Sequence, residues 1–473
     1  MLSMVKQEFE HSGAAPGDLR LSELLGALSQ ALDLTEGQPE GHCIRCCWIG
    51  MAVGRELGLS DGELWELYYT LLLKDLGCSS NAARICQLYL TDDLGFKRDF
   101  KSVGDSLPQV LRFVLSHTGM GSGLAERFRA IVHIMQNGGQ IATELIETRC
   151  QRGAAIARQM RFSQAVAEAI QCLDEHWDGR GRPNGIAGAA IPIYARVALL
   201  AQVADVFLTS GGRASAEAEV RKRAGSWFDP AIVAAFGRVA AVADFWSALA
   251  SPELSETIFA LEPGRRVENL DEDFLDDIAG AFAQVIDSKS PFTMGHSTRV
   301  ALFTDMIAEE LDLEPGRRRW LKRGALLHDI GKLAVSNSIL DKPGKLDETE
   351  WAAMRQHSAH TETILGRIGA FQELARIAGA HHERLDGRGY PKGLGSAEIP
   401  LETRILTTAD IFDALTAERP YRGPMPIPKA LGIMEGDLGS AIDPDCLAAL
   451  VRSLARIETS GVLTAAEAAR DAA

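Results

Sequence analysis

The chain has 473 residues, 46% of them hydrophobic and 24% charged, which predicts a soluble globular protein of two domains. Its formal net charge of −15 argues against nucleic acid or an anionic membrane as the main partner. No run of about 18 apolar residues is present to span a bilayer, the opening "MLSMVKQEFEHSG" lacks a signal-peptide core, and the eight cysteines form no disulfide-like framework, so a cytoplasmic location is expected.

In chain order, the first predicted helices lie in "GHCIRCCWIGMAVGRELGLSDGELWELYYTLLLKDLG" (41–77). This stretch aligns without a gap to "GHSTRVALFTDMIAEELDLEPGRRRWLKRGALLHDIG" (295–331), at an offset of 254. Further on, "RCQRGAAIARQM" (149–160) pairs with "HSAHTETILGRI" (357–368), and "LDEHWDGRGRPNG" (173–185) with "HHERLDGRGYPKG" (381–393), both at offset 208. Near the two ends, "GSWFDP" (225–230) answers "GSAIDP" (439–444). Offsets that stay constant over several segments mark an internal duplication. Their difference places an insert of 46 residues in the first copy, within about 79–148. Part of it, "SLPQVLRFVLSHTGMGSGLAERFRAIVHIMQNGG" (106–139), has helical periodicity with Gly-rich breaks. The expected organisation is a first copy over 1–250, a linker over 251–267 where helix starters mix with Pro and Gly, and a second copy over 268–473. In the second copy Val300, Phe303, Ile307 and Leu311 keep one helical face apolar, and Asp347 is the expected cap of "ETEWAAMRQHSAHTETIL". Nothing demands a sheet beyond a short ribbon near the Gly-rich loop. The fold expected is all-α, as tandem helical domains.

The second copy carries a constellation. His296 opens one predicted helix, His328 and Asp329 end the next in "HDIGK", His357 lies on a third, His381 and His382 end a fourth, and Asp410 lies on a fifth. Imidazole with carboxylate suits zinc, manganese or iron, and several such ligands around one shared Asp suit a pair of ions. Two ions can clamp an in-line displacement at phosphorus. His360 belongs to no motif and is read as an ordinary histidine.

Residues from about 285 to 450 resemble an HD-GYP phosphodiesterase, a branch of the HD superfamily of metal-dependent phosphohydrolases. The resemblance runs through "GHSTRV", "LLHDIGK", "ILDKPGKLDETEW", "HHERLDGRGYP" and "RILTTADIFDALTAERPYR". It implies two divalent metal ions, iron or manganese. One would be held by His296, His328, Asp329 and Asp410, the other by Asp329 with His357, His381 and His382. It implies that Asp329 and Lys332 act in catalysis, with Lys332 on the scissile phosphate. Tyr390, Asp413, Arg419 and Arg422 would line the nucleotide site. The substrate implied is a cyclic dinucleotide, cyclic di-GMP first, opened to linear pGpG. Alternatives are another nucleotide phosphohydrolase of the superfamily and a signalling adaptor that binds without turnover. Two positions depart from the pattern, Thr361 for the usual Gly and Ser336 for a frequent Pro. Some members add a third metal through a carboxylate one turn before the first histidine. Here that position is Phe292, which cannot ligate.

The first copy lacks most of these groups. His42, Asp75 and Asp205 are read as the equivalents of His296, Asp329 and Asp410. Lys74 replaces His328, Arg149 replaces His357, and Leu173 and Asp174 replace the histidine pair. Cys78 stands for Lys332 and Arg182 for Tyr390. The first copy is therefore expected to be a non-catalytic scaffold that supports or regulates the second, or meets a homodimer or signalling partner. Its cysteines are read as buried helix residues rather than a metal or redox cluster.

Overall fold

The structure, a computed structural model, describes residues 19–101, 103, 107–120, 122–263, 271–420 and 422–459. The chain start, linker residues 264–267 and the outer ends of both expected domains lie outside the described residues. The first half opens with α1 (Leu21–Thr35), α2 (His42–Glu56), α3 (Asp61–Leu73), α4 (Ala82–Tyr89), α5 (Asp93–Phe100) and α6 (Leu107–His117). It continues with α7 (Leu124–Gln159), α8 (Gln164–Gln171), α9 (Ile193–Lys222), α10 (Pro230–Ala240), α11 (Ala243–Leu249) and α12 (Leu254–Ala260). The second half holds α13 (Glu272–Asp287), α14 (His296–Glu310), α15 (Pro315–Leu327), α16 (Asn337–Leu340) and α17 (Glu348–Gly366). It ends with α18 (Gln372–Gly379), α19 (Leu401–Thr416), α20 (Ile427–Gly436) and α21 (Pro444–Thr459). Among the described residues the only β pairing is isolated bridges, one of them joining Asp386 to Gly395 in the Gly-rich loop.

Local chemistry sets the helix ends. Asp347 caps α17 in a capping box with Glu350, and Ser60 does the same for α3 with Glu63, each satisfying otherwise orphaned N–H groups. Val300 and Ile307 of α14 are fully buried, with Phe303 and Leu311 packed beside them. The extra length of the first half is α5, α6 and the N-terminal part of α7, which has 36 residues against 19 in α17. Among the described residues α9 is long and apolar enough to cross a membrane, but 67% of its most apolar window is buried inside the protein.

The expected linker is not a simple connector. Residues Leu254–Ala260 form α12, whose Leu254 and Ile258 are buried. The Ile258 carbonyl accepts a hydrogen bond from Tyr68 Oη at 3.1 Å, and the Phe259 carbonyl accepts one from Ser22 Oγ at 3.3 Å. Apolar residues four apart give this segment a face to bury, which outweighs the Pro and Gly around it.

One hydrophobic core runs through both halves, from Leu24 and Leu28 of α1 to Ile278 and Phe282 of α13 and on to Leu365 of α17. The packing is reciprocal. At the offset of 254, α1 and α13 occupy equivalent places; α1 packs on α17 and the 3-10 segment Ile330–Ala334, while α13 packs on α7 and the 3-10 segment Cys78–Asn81. Polar pairs follow the same pattern: Arg161 Nε donates to Asp277 at 2.6 Å, and at the matching positions the Gly369 N–H donates to Glu23 at 3.2 Å.

Candidate metal centre

The second-half histidines reach the centre from the start of α14, the end of α15, the middle of α17 and the turn after α18, and three of them are locked the same way. His328, His357 and His381 present Nδ1 to the carbonyls of Ala325, Met354 and Ala378, three residues back, at 2.6–2.7 Å. His296 presents Nδ1 to the Asp413 carboxylate at 2.7 Å. A carbonyl or carboxylate only accepts, so the proton sits on Nδ1 and Nε2 is left as a free donor atom for a metal.

The Nε2 atoms converge on Asp329. Its Oδ2 lies 3.3 Å from His296 Nε2 and 3.4 Å from His328 Nε2. Its Oδ1 lies 3.6 Å from His357 Nε2 and 3.7 Å from His381 Nε2. Asp410 Oδ1 completes the first set, 3.4 Å from His296 and 3.8 Å from His328. His296, His328 and Asp410 form one ligand group, and His357, His381 and His382 another, with all donor atoms of each within 4.8 Å of one another. The fit to metal rests on atoms without partners: His296 Nε2, His328 Nε2 and Asp329 Oδ1 are buried and accept or donate no hydrogen bond. Buried polar atoms are otherwise nearly always satisfied, and these three point inward together. His360 stands apart from both groups.

The electrostatics match. Burial pushes the Asp329 carboxyl up, but His328, Lys332 and His296 outweigh it and hold the group ionised, well below the usual range. Asp410 is held ionised against burial by His328 and His296. Burial opposes charge on His296, yet the carboxylates of Asp329, Asp413 and Asp410 around it hold it up to about 9, so this position favours a cation, which a proton on Nε2 supplies when no metal is bound. Burial and the nearby cations push His357 down to about 3 and His382 to about 4, leaving them neutral and available as ligands.

Around the centre, Lys332 Nζ lies 2.5 Å from Asp329 Oδ2 with its side chain 19% exposed. The Tyr390 ring lies 4.9 Å from that of His382, with the Arg355 guanidinium 5.6 Å from its own centroid. Three expected nucleotide contacts are placed differently. Asp413 is buried, accepting from His296 and also from Arg299 Nε at 2.5 Å and Nη2 at 3.1 Å, so it orients a ligand rather than facing a nucleotide. Both Nη groups of Arg422 donate to the α19 carbonyls of Ala414 and Leu415 at 2.7 Å, and Arg419 Nε reaches Ala414 O at 3.4 Å. These arginines cap the C-terminal end of α19.

Both departures from the family pattern have local uses. Thr361 Oγ1 donates to His328 O at 2.8 Å and accepts from Gly331 N at 3.1 Å, tying the turn that carries Asp329 to α17. Gly331 is required there, because a Cβ would lie 1.9 Å from His357 O; Gly77 meets Arg149 O at the same distance in the first half. Ser336 Oγ caps α16 by accepting from Ser338 N at 3.2 Å. The expected helical register of Phe292 is not present, since α14 begins at His296 and Phe292 lies in a 3-10 turn, Pro291–Thr293.

Glu383 is a functional residue that motif reading passed over. Buried, it accepts from the N–H groups of Lys392, Gly393 and Leu394 at 2.6–3.1 Å and so closes the loop carrying Tyr390. Glu175 does the same for Asn184 and Ile186 in the first half. Its retention in both copies, at offset 208, was the available signal.

In the first half one equivalence is corrected. His42 Nδ1 donates to Asp205 at 2.6 Å, and Arg45 Nε and Nη2 bond the same carboxylate at 2.6 and 3.1 Å, reproducing the His296–Asp413–Arg299 arrangement. Asp205 is the counterpart of Asp413, and Gln202 stands where Asp410 would be. Of the ligand positions only His42 and Asp75 remain. Two of the lost positions carry cations, Lys74 in contact with Asp75 and Arg149 in contact with Asp174, and nearby Lys101 lies 2.8 Å from Glu36. Donor atoms do approach one another in the sets His42–Cys46–Asp205 and Glu36–Asp75–Cys78, but these cations hold their carboxylates. Burial pushes the thiols of Cys43, Cys46, Cys47 and Cys78 above their usual range, which makes them unreactive.

Tandem helical domains, one with a buried His/Asp centre built around a shared carboxylate, define a metal-dependent phosphohydrolase. The family model described as HD domain matches residues 108–232 and 280–446. The chain is 55% identical over 434 residues to 3'3'-cGAMP-specific phosphodiesterase 3 of Vibrio cholerae, spanning 92% of this chain and 94% of that protein. It is 39% identical over 178 residues to a cyclic di-GMP phosphodiesterase response regulator of Xanthomonas campestris, spanning 37% of this chain and 47% of that one. A crystal structure of a cyclic GMP-AMP specific phosphodiesterase of V. cholerae has 50% identity, covers 92% of this chain and 97% of its own, and superposes with a TM-score of 0.63. The chain belongs to the HD family, in its HD-GYP branch.

Proposed function

We propose that the second half hydrolyses 3'3'-cGAMP, a reading that replaces the cyclic di-GMP expected from sequence because the relative matching nearly the whole chain is named for that substrate. The chain is a cyclic dinucleotide phosphodiesterase. The observation that carries the chemistry is Asp329, whose two oxygens each face a separate set of imidazoles. We assign His296, His328, Asp329 and Asp410 to one divalent ion, and Asp329, His357, His381 and His382 to a second, iron or manganese. Bound there, the ions supply Lewis acidity toward a phosphate.

The other roles belong to the chain itself. Lys332 is a compact cation at the mouth of the centre, placed to meet a phosphate oxygen. Tyr390, against His382 and Arg355, offers a ring face to a base. Asp413 and the three carbonyls hold the imidazoles in one tautomer, so no reorganisation is needed when a ligand binds. Eight unpaired cysteines support a reducing compartment such as the cytoplasm. The test is a panel of 3'3'-cGAMP, cyclic di-GMP and linear dinucleotides given to metal-loaded full-length protein, with Asp329→Ala as control. Preference for the mixed cyclic dinucleotide, abolished in the variant, is expected; equal rates on cyclic di-GMP would return the substrate to the first expectation.

A further inference from the structure

We infer that Asp93, which belongs to the added helices of the first half, is a positioning residue for the segment that carries Lys332 in the second half. The inference rests on the assignment of Lys332 to the phosphate.

Asp93 begins α5 and is fully buried. Its Oδ1 accepts from the Asn337 N–H at 2.8 Å, from Ser336 Oγ at 3.1 Å and from Cys86 Sγ at 3.7 Å. Its Oδ2 faces Lys289 Nζ at 3.5 Å. All but the Cys86 contact cross from the first half to the second. Lys289, itself 1% exposed, donates onward to Leu333 O at 3.2 Å. Leu333 is the residue after Lys332, inside the 3-10 segment Ile330–Ala334. A chain of polar contacts therefore runs from the insert to the backbone beside Lys332. Asn337 Nδ2 closes it by donating to Lys289 O at 2.7 Å.

Only a carboxylate meets every demand at this position. It supplies a counter-charge for a lysine that water does not reach, together with lone pairs for an N–H and a hydroxyl. The other end of α5 is held in the first half. Lys97 Nζ donates to Thr35 O at 3.0 Å and to Cys78 O at 2.7 Å, and Lys101 pairs with Glu36. Cys78 is the counterpart of Lys332. One helix thus joins the filled centre of the first half to the active segment of the second. A shift of Leu333 would move the Lys332 ammonium, whose reach is set by its own Cα.

The test uses full-length, metal-loaded protein. Asp93→Asn with Lys289→Met removes the ion pair without leaving a lone buried charge. We expect kcat on the cyclic dinucleotide to fall about tenfold or more, since sub-ångström misplacement of a catalytic group suffices for that. KM should change little. In a Lys332→Ala background the same pair of changes should add nothing, because both act through one group. Amide exchange at residues 333–335 should rise while that of α14 stays unchanged, a readout that needs no turnover. Ser336→Ala, which removes one hydrogen bond to Asp93, should give a smaller change of the same sign and serves if the double variant does not fold. Additive losses with Lys332→Ala, an unchanged kcat, or unchanged exchange at 333–335 would overturn the inference. If Lys332→Ala itself leaves the rate intact, the phosphate assignment fails instead, and the exchange measurement still decides whether Asp93 holds the segment.

Discussion

Asp413→Ala separates ligand orientation from simple stability, because the molecule carries its own control. The substitution deletes the acceptor of His296 Nδ1 and of Arg299, and the carboxylate it removes is buried. Hydrogen bonds to charged groups contribute about 1.5–3 kcal/mol each. Arg299 is 39% exposed, so water recovers most of its share, and a total loss near ~3 kcal/mol of unfolding free energy is expected. The imidazole is then free to turn, and loss of such an orienting partner lowers metal affinity by about 10–100-fold. Asp205→Ala removes the same contacts from His42 and Arg45, so it should destabilise by a similar amount. Metal affinity and turnover should stay at wild-type values there, since five of the seven ligand positions are gone. Denaturant unfolding of metal-free protein and calorimetric metal titration measure the two quantities. Wild-type metal affinity in Asp413→Ala, or an equal loss in Asp205→Ala, would refute the assignment of these carboxylates.

Three further outcomes are expected. A fragment beginning at Asp271 loses the cover over Ile278, Phe282, Ile330 and Leu365, each of which contributes about 1.5–3 kcal/mol when buried; the sum is comparable to a whole domain's ~5–15 kcal/mol, so the fragment should aggregate or unfold, and a soluble fragment with full activity would contradict the shared core. Burial and the Lys74 charge push His42 down to about 4 from its ordinary 6.5, so its contribution to stability is present above pH 6.5 and lost as pH falls through about 4; His42→Asn should flatten acid unfolding of metal-free protein in that window, and an unchanged profile would count against it. No carboxylate lies between Asp287 and His296 to add a third metal, so a chromatographic time course should show linear dinucleotide before any mononucleotide; mononucleotide from the outset would argue for a further metal.

The duplication and the metal ligands were legible because both are patterns of residue type at constant offset, and the helices followed from periodicity and capping residues such as Asp347. Long-range geometry was not legible. Asp410 and Asp413 lie three apart on α19 and so face the same side; the offset of 208 pairs Asp205 with Asp413, but only the hydrogen bonds to His42 and Arg45 show the orienting role that goes with it. The same limit hid the placement of Arg419 and Arg422. Arginines near a nucleotide motif suggest phosphate, but three and six residues past a helix end they find its free carbonyls first. Residues 251–263 read as a connector because Pro252 and Pro263 bracket them, whereas the partners that bury Ile258 lie far away in sequence on α1 and α2. Asp93 gave no signal at all, since its second-half partners are about two hundred residues or more distant.

The reciprocal packing of α1 on α17 and α13 on α7 is the geometry of an isologous contact, written into one chain. Between separate subunits such a contact obeys mass action and comes apart on dilution. Here the association is unimolecular, so the halves stay together at any protein concentration. Symmetry is also released. In a pair of identical subunits every substitution strikes the interface twice, but in this chain it strikes once, which lets one face lose its metal ligands while the other keeps all of its own.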